Sequence, residues 1–220
     1  MNFDHEDLLR MNRVLRHRLR NFASGMKTSV SFLAKELEGR LSPSEMEYFP
    51  LIAGECDGVT EMTNRMSRLF DDIPSGDEST LASVLEKTVA NLHGRFPTAR
   101  IRVEAGAAGS LRVASKQGLV LCLGEVVANA LESAPNGEAL VSCAGGDGRL
   151  AIEVRDTGPG VKPEERGSLF LPFYTTKARH LGIGLSIAKK IVGQLGGSIE
   201  ADNGSGGGFT VKMALRGSGK

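Results

Sequence analysis

A carboxylate and a carboxamide lie one helical turn apart in an apolar segment near the middle of the chain. Glu125 and Asn129 are separated by four positions, so they share one face of the helix that this segment predicts. Polar groups on a face that should be buried cost free energy unless they have partners. Mg²⁺ prefers oxygen ligands, and the carboxamide of Asn129 can supply one. The pair therefore indicates either a magnesium site or a buried structural pair.

Two glycine-containing segments further along the chain could surround a nucleotide. Asp156 begins the sequence DTGPG, in which Gly158 and Gly160 let the backbone approach a ligand closely. The carboxylate of Asp156 can accept a hydrogen bond from the amino group of a base. Gly182 and Gly184 open a predicted helix, whose unpaired N–H groups and positive dipole end favour an anion. Each segment is weak evidence when it is taken alone.

The stretch between these glycine segments is unusually apolar for a loop. Residues 169–177 read LFLPFYTTK, and an exposed loop rarely contains so many aromatic side chains. We therefore expect this stretch to close over a ligand, with Phe173 among the residues that contact it. Lys177, at the end of the stretch, is either a phosphate ligand or a solvated lysine of the lid.

His17 is the candidate nucleophile, and it lies on a long predicted helix. Apolar residues recur at steps of three or four from Leu15 to Leu37, which draws one stripe along residues 7–37. At about 100° per residue, His17 lies almost opposite this stripe and faces solvent. An exposed imidazole is mostly neutral near pH ~7 and can act as a nucleophile. The alternative is that His17 is one more surface residue in a basic turn.

Two kinds of periodicity divide the chain into two halves. A second apolar stripe with heptad spacing follows Ser42, a predicted N-cap, and Pro43, so the first half forms a helical hairpin. Two helices cannot bury both stripes, so we expect a homodimer in which the hairpins form a four-helix bundle. Later strand and helix patterns alternate, which predicts a two-layer α/β sandwich and an α+β fold overall. The predicted boundaries are 1–73 for the hairpin, 74–80 for a linker and 81–220 for the second domain.

Composition excludes several classes of function. The net charge is +1, so bulk electrostatics favour neither nucleic acid nor an acidic membrane as a partner. No apolar run approaches the roughly 20 residues that span a bilayer. The first residues are charged and lack the apolar core of a signal peptide. We therefore expect a cytoplasmic protein without a membrane span.

In this order and spacing, the segments resemble the sensor histidine kinases of two-component systems. The ATP-binding domain of that family has the Bergerat fold, which gyrase, Hsp90 and MutL share. The resemblance covers roughly residues 80 to 215. The matching segments are Glu125 to Asn129 for the N box, DTGPG and GIGLSIAKKIV for the two glycine boxes, LFLPFYTTK for the F box, and residues 206–209 for the last glycine stretch. Residues 14–21, VLRHRLRN, resemble the H box in its His-Arg-x-x-Asn version.

The resemblance implies an ATP-dependent kinase that phosphorylates itself on His17. The phosphoryl group then passes to an aspartate of a response-regulator receiver domain. Asn129 would hold Mg²⁺, Asp156 would receive the adenine amino group, and Glu125 would be catalytic. Asn21 would orient the water that hydrolyses the regulator's aspartyl phosphate, which implies a phosphatase activity as well. The remaining residues implied to contact the nucleotide are Gly158, Gly160, Phe173, Lys177, Gly182 and Gly184.

Three positions depart from the family pattern. Arg18 follows the histidine, where many members have an acidic residue that serves as the base. Glu132 replaces a frequent basic residue, and Leu181 replaces a frequent threonine, and both changes could weaken nucleotide affinity. Arg16, Arg18 and Arg20 are predicted to surround His17 and to stabilise phosphate charge, although none of them can take a proton.

These departures leave two other functions open. One is a dimeric phosphotransfer or binding protein that keeps a degenerate nucleotide pocket. The intact glycines speak against it, because a pocket that binds nothing does not require them. The other is a Bergerat-fold serine kinase of the anti-sigma type, which the long hairpin with its exposed histidine disfavours.

Overall fold

The computed structural model of the 220-residue chain describes residues 4–73, 76–134, 138–146, 148–177, 180–204 and 207–216. Pro74 and Ser75 of the predicted linker and Gly206 of the last glycine stretch lie outside the described residues. The chain divides into two compact units, Met1–Asp72 and Ile73–Lys220. No helix in the described part of the chain combines the length and the hydropathy needed to cross a bilayer.

The first unit is a helical hairpin. Its elements are α1 (His5–Glu36), α2 (Pro43–Met46) and α3 (Tyr48–Phe70). Ser42 caps α2 through a capping box with Glu45, and Pro43 is the first helical residue, as the sequence predicts. Pro50 is tolerated in α3 because it lies in the first turn, where its missing N–H breaks no helical bond.

A face of small and polar side chains closes the hairpin. Along both α1 and α3 the shielded residues recur every three or four positions. The most buried of them are Arg16, Ala23, Cys56 and Thr63, each at 6% exposure or less. Lys27 pairs with Asp57 across the hairpin, with 2.6 Å between Nζ and Oδ1. Because Arg16, which precedes Lys27, pairs with Asp71, which follows Asp57, the two helices run antiparallel.

The large apolar side chains of the hairpin lie on a neighbouring face that is exposed. Its members are 37% to 68% exposed and comprise Leu15, Leu19, Phe22, Met26, Leu33, Tyr48, Leu51, Ile52, Val59 and Met62. Most residues of the predicted stripes therefore lie on this exposed face and do not close the hairpin, whereas Val30 and Leu37 of the first stripe are half-buried. Within one chain the exposed stripe residues face solvent, and an apolar surface of this length marks an interaction site in most proteins.

One buried arginine fastens the open end of the hairpin. The guanidinium of Arg16 donates two hydrogen bonds to the carboxylate of Asp71, at 2.9 and 3.3 Å, and its Nε donates to Asn12 Oδ1 at 2.7 Å. Asp71 is the residue at which α3 ends. A bidentate hydrogen bond of this kind fixes the orientation of the guanidinium as well as its distance from the carboxylate. Arg16 therefore ties α1 to the point where the chain leaves α3.

The second unit is a sheet of five strands covered on one face by three helices. Two short strands, β1 (Ser79–Thr80) and β3 (Arg112–Val113), form a pair of their own. The strands of the sheet are β2 (Arg100–Glu104), β4 (Glu138–Gly146), β5 (Arg149–Arg155), β6 (Ser198–Asn203) and β7 (Phe209–Arg216). Their order is β2-β4-β5-β7-β6, with β2 parallel to β4 and the other neighbours antiparallel. The helices are α4 (Leu81–Arg95), α5 (Lys116–Ser133) and α6 (Gly184–Gln194). The prediction of a hairpin followed by a two-layer α/β domain is confirmed.

The core of this unit lies between the helices and one face of the sheet. Alternate residues of β5 and β7 point inward, and α5 is apolar on most of its circumference because it is covered by α4, α6 and the sheet. Residues at 2% exposure or less include Leu119, Leu123, Val126, Leu150, Ile152, Ile187, Ile191 and Met213. A helix buried in this way can carry polar residues only where something binds them.

The end of the predicted linker is bonded to the second unit. Short strand β1 (Ser79–Thr80) pairs antiparallel with β3 (Arg112–Val113). Asp77 accepts from the N–H of Lys116 through its carbonyl at 2.9 Å, and from the N–H of Gln117 through its carboxylate at 3.1 Å. Asp77 therefore satisfies two of the N–H groups that the start of α5 leaves without helical partners.

We expect Asp71→Ala to lower the free energy of unfolding of the hairpin by about 1–3 kcal/mol, because it leaves the buried guanidinium of Arg16 without its carboxylate. Asp72→Ala is the matched control, since Asp72 is exposed beside it. Urea unfolding followed by circular dichroism at one fixed protein concentration measures both variants. Equal stability of the two variants would contradict a fastening role for Arg16.

Candidate nucleotide site and phosphoacceptor

A buried aspartate at the end of β5 keeps one oxygen without a partner. Asp156 is 2% exposed, and its Oδ1 accepts hydrogen bonds from the N–H groups of Gly158 and Phe209, at 2.8 and 3.0 Å. Its Oδ2 is buried and has no partner among the described residues. An unsatisfied carboxylate oxygen in this position is costly unless a ligand donates to it. The amino group of adenine is a donor that fits.

The glycines of the turn after Asp156 sit where other backbone comes close. A Cβ on Gly158 would lie 3.1 Å from the carbonyl oxygen of Ser133, at the end of α5. Gly160 has φ of +75°, and a Cβ there would lie 2.6 Å from Asn203 Oδ1. Position 160 therefore requires glycine for space and for its backbone conformation, and at Gly158 a side chain would fit only if the neighbouring backbone shifted. The turn is held between α5 and the end of β6.

Asn203 fixes the first residue after this turn. Its Oδ1 accepts from the N–H of Val161 and its Nδ2 donates to the carbonyl of Val161, both at 2.8 Å. The described residues 161–177 and 180–183, which we call the lid, begin at this clamp. Asn203 is not among the predicted site residues. The available signal was the Asn203-Gly204 pair, a dipeptide that is typical of a turn.

Glu125 packs against the start of α6. It is 8% exposed, and its Oε2 would lie 3.0 Å from a Cβ added to Gly184. No side chain caps α6 at Ile183, so the first turn of α6 has N–H groups that can bind an anion. Glycine at position 184 lets α5 and α6 approach at the point where the predicted anion site lies.

Lys177 contacts the predicted magnesium ligand. Its Nζ donates to Asn129 Oδ1 at 3.1 Å, to the carbonyl of Asn129 at 3.3 Å and to Ser133 Oγ at 3.0 Å. Burial lowers the pKa of the Lys177 ammonium, while the carboxylates of Glu132 and Asp156 act in the opposite direction. The ammonium thus lies beside α5 and within electrostatic reach of Asp156.

Glu132 has partners on the lid and on α4. Its carboxylate lies 2.6 Å from Arg95 Nη2, 3.3 Å from His180 Nδ1 and 3.8 Å from Lys177 Nζ. The side chain is only 16% exposed. From the sequence, this acidic residue was expected only to weaken nucleotide affinity. Its position shows a contact that holds the far end of the lid against α5.

The middle of the aromatic stretch packs closely against Gly182. Gly182 has φ of +64°, and a Cβ there would overlap the carbonyl oxygen of Tyr174 and lie 2.9 Å from the carbonyl carbon of Phe173. Phe173 itself has φ of +67°, which is strained for a residue with a side chain, and it is 51% exposed. The structure therefore places Phe173 in the lid, with its ring half in solvent.

The donor set fits a cation held mainly by phosphate. No group of three His, Cys, Asp or Glu side chains in the described ranges could hold a metal ion. Mg²⁺ in nucleotide sites needs only one or two protein ligands, because phosphate oxygens and water complete its octahedron. Asn129 Oδ1, on the face of α5 beside Lys177, can serve as such a ligand.

The structure pairs His17 with Asn21 in the first unit. Both are exposed, and 3.3 Å separates Asn21 Nδ2 from His17 Nδ1. Their face of α1 is turned away from both the hairpin seam and the exposed apolar stripe, as helical spacing predicts. The predicted cluster of arginines is wrong for Arg16, which is buried and bonded to Asp71 instead. Arg18 remains exposed and Arg20 is half-buried.

The chain is similar in sequence to histidine kinases. Residues 114–218 match the family described as histidine kinase-, DNA gyrase B- and HSP90-like ATPase. The chain is 29% identical over 221 residues to the sensory histidine kinase/phosphatase NtrB of Azospirillum brasilense, covering 88% of this chain and 52% of that protein. It is 30% identical over 175 residues to the C4-dicarboxylate transport sensor protein DctB of Rhizobium meliloti, covering 73% of this chain and 28% of that protein. This chain therefore spans about half or less of the length of these relatives.

Solved structures share the fold. Full-length ShkA in complex with AMPPNP superimposes with a TM-score of 0.77 at 19% identity, covering 96% of this chain and 46% of ShkA. The mycobacterial sensor histidine kinase MprB superimposes with a TM-score of 0.58 at 23% identity, covering 66% of this chain and 99% of the MprB chain. At these identities the likeness establishes architecture, and the roles of individual residues rest on the geometry above.

We expect Asn203→Ala to speed amide hydrogen exchange at Val161 by about tenfold or more, because the N–H loses its acceptor. Asn91→Ala, at an exposed position on α4, is the control and leaves this exchange unchanged. Hydrogen exchange read by mass spectrometry or NMR provides the measurement. Unchanged protection of Val161 in Asn203→Ala would show that the clamp does not hold the lid.

Proposed function

Because this chain carries an ATPase domain of the histidine kinase type and is related to sensor histidine kinases over most of its length, we propose that it phosphorylates His17 from ATP. An aspartate of a response-regulator receiver domain then takes the phosphoryl group. The observation that carries the proposal is His17 itself, an exposed imidazole bonded to Asn21 on a helical hairpin. A structural histidine would instead be buried among the residues of the seam.

The second unit binds the nucleotide. Asp156 Oδ2 receives the adenine amino group, and the turn at Gly158 and Gly160 shapes the pocket beside it. The phosphates lie near the first turn of α6, where Gly184 lets the backbone come close. Asn129 provides a ligand for Mg²⁺, which neutralises phosphate charge in reactions of this class. Glu125, fixed against the start of α6, completes this end of the pocket.

At His17, an imidazole nitrogen attacks the γ-phosphorus. The N–P bond forms as the bond between the γ-phosphorus and the bridging oxygen breaks, and ADP leaves with that oxygen. The amide of Asn21 faces Nδ1, and because either end of an amide can be presented, its oxygen can accept Nδ1–H and leave the Nε2 lone pair exposed. Arg18 cannot accept the imidazole proton, so that proton passes to water or to phosphate oxygen.

We further propose a phosphatase activity, in which water attacks the regulator's aspartyl phosphate, the P–O bond to the aspartate breaks and inorganic phosphate leaves. NtrB of Azospirillum brasilense bears the name kinase/phosphatase. Asn21, one helical turn from His17 and exposed, has an amide that can orient a water molecule for this hydrolysis. Arg18 in place of an acidic residue favours this phosphatase activity over autophosphorylation. We place the chain in the cytoplasm, where ATP and receiver domains are both present.

The exposed apolar stripes support a homodimer. Side chains such as Phe22, at 68% exposure, and Leu51, at 65%, lie in one continuous row beside the seam of small residues. Pairing two hairpins through these rows buries them in a four-helix bundle. The face that carries His17 and Asn21 then stays open to a receiver domain and to the nucleotide.

We expect incubation with γ-labelled ATP and Mg²⁺ to place acid-labile label on the protein and His17→Ala to abolish it. His93→Ala, at an exposed position on α4, retains the label. Asp156→Asn reduces labelling and weakens nucleotide binding by about 10–100-fold, because the buried acceptor loses its charge. Nucleotide binding without any label would support the phosphotransfer or binding protein. Acid-stable label on serine of an added protein would support the serine kinase.

We expect Phe22→Glu to raise the dimer dissociation constant about tenfold or more, because a carboxylate would be buried in the bundle. Ser24→Glu is the matched control, since Ser24 is exposed on the face that carries His17. Sedimentation equilibrium measures both variants. A monomeric unmodified chain at micromolar concentration would rule out the bundle.

A further inference from the structure

The ammonium of Lys177 lies within hydrogen-bond distance of three oxygens of α5. A lysine has three N–H donors, and the three oxygens are Asn129 Oδ1, the Asn129 carbonyl and Ser133 Oγ. Ser133 Oγ itself donates to the Asn129 carbonyl at 2.8 Å, so these oxygens form one connected group. The side chain is 29% exposed, which excludes a freely solvated lysine.

A cation therefore already lies at the oxygen that is proposed to bind Mg²⁺. The ammonium is 3.1 Å from Asn129 Oδ1. A divalent ion bound to the same oxygen would repel a neighbouring positive charge strongly in a partly buried site. The two cations cannot share this oxygen without a large electrostatic cost. One of them has to move.

We propose that the Lys177 ammonium occupies the Mg²⁺ position at Asn129 Oδ1 while no nucleotide is bound. When Mg²⁺ binds together with the nucleotide, it displaces the ammonium, which then contacts the phosphates. This inference rests on the nucleotide site proposed above. Before release, the lysine keeps the Asn129 carboxamide in a fixed orientation and holds the lid against α5. After release, its charge meets the phosphates that the metal brings. Lys177 is thus a positioning residue that couples the lid to the metal.

Glu132 keeps the lysine near the pocket during this exchange. Its carboxylate is 3.8 Å from Lys177 Nζ and is bonded to Arg95 on α4 at 2.6 Å. The ion pair with Lys177 needs no hydrogen from the ammonium, so it survives when the three bonds to α5 are broken. His180 contacts the same carboxylate, so the end of the lid remains attached while Lys177 turns.

The test is the magnesium dependence of nucleotide binding, measured by titration calorimetry with ADP from EDTA to saturating Mg²⁺. In Lys177→Met we expect the free Mg²⁺ concentration that gives half of the affinity gain to fall about fivefold or more, because no ammonium has to be displaced. Affinity in EDTA falls, because a charge that attracts phosphate is lost. Ser133→Ala removes one of the three oxygens and shifts the Mg²⁺ midpoint in the same direction by a smaller factor.

The control is Lys87→Met, which changes an exposed lysine of α4 and leaves both quantities unchanged. If Lys177→Met weakens ADP binding equally with and without Mg²⁺, the role of Lys177 is merely structural and the inference fails. An unchanged or higher Mg²⁺ midpoint also overturns it. In either case ADP still binds the unmodified chain, so the proposed function stands. If the unmodified chain binds no ADP, both proposals fail together.

Discussion

Two backbone N–H groups converge on one oxygen of the buried carboxylate of Asp156, and the nucleotide site depends on this interaction. The donors belong to Gly158, just after β5, and to Phe209, at the start of β7. The carboxylate therefore joins two neighbouring strands at the edge where the turn leaves the sheet. Because Oδ1 is saturated in this way, the orientation of Oδ2 is fixed and its hydrogen-bonding capacity is left for a ligand. The same interaction that stabilises the turn prepares the site.

The lid is attached to this rigid base at both ends by side chains outside the lid. Asn203 holds Val161 at its start, and Glu132 holds His180 and Lys177 near its end. Between these attachments lies backbone of unfavourable conformation at Phe173. Strain of this kind persists only where the surroundings impose it, and here both ends of the lid are held. A ligand that breaks one attachment can therefore move the intervening segment.

Three faces of α1 carry three different sets of residues. Small and polar residues close it against α3, large apolar residues form the exposed stripe, and His17 with Asn21 occupies the remaining face. This arrangement explains why His17 is exposed to solvent and is not covered by α3. Arg16 is adjacent to His17 in sequence but turns about 100° away into the seam, so its charge is used to bind Asp71.

The helices, the fold class and the pairs of nearby residues are predictable from local patterns along the chain. Steps of three or four residues predicted the long helices, Ser42 marked a helix start, and a spacing of four placed Asn129 on one face with Glu125. These features follow from the geometry of a single helix or turn, which depends only on near neighbours along the chain. The fold class was predictable for the same reason, because the order of helix and strand periods limits how layers can pack.

Contacts between side chains that are distant in sequence are not predictable in this way. Asn203 and Val161 are 42 positions apart, Arg16 and Asp71 are 55 apart, and Lys177 and Asn129 are 48 apart. No periodicity relates such residues, so nothing in their spacing predicts a contact. Which face of α1 closes the hairpin was also undecided, because small seam residues and large apolar residues both recur with helical spacing. These contacts depend on how separate elements pack in space, and a pattern along one chain does not record that packing.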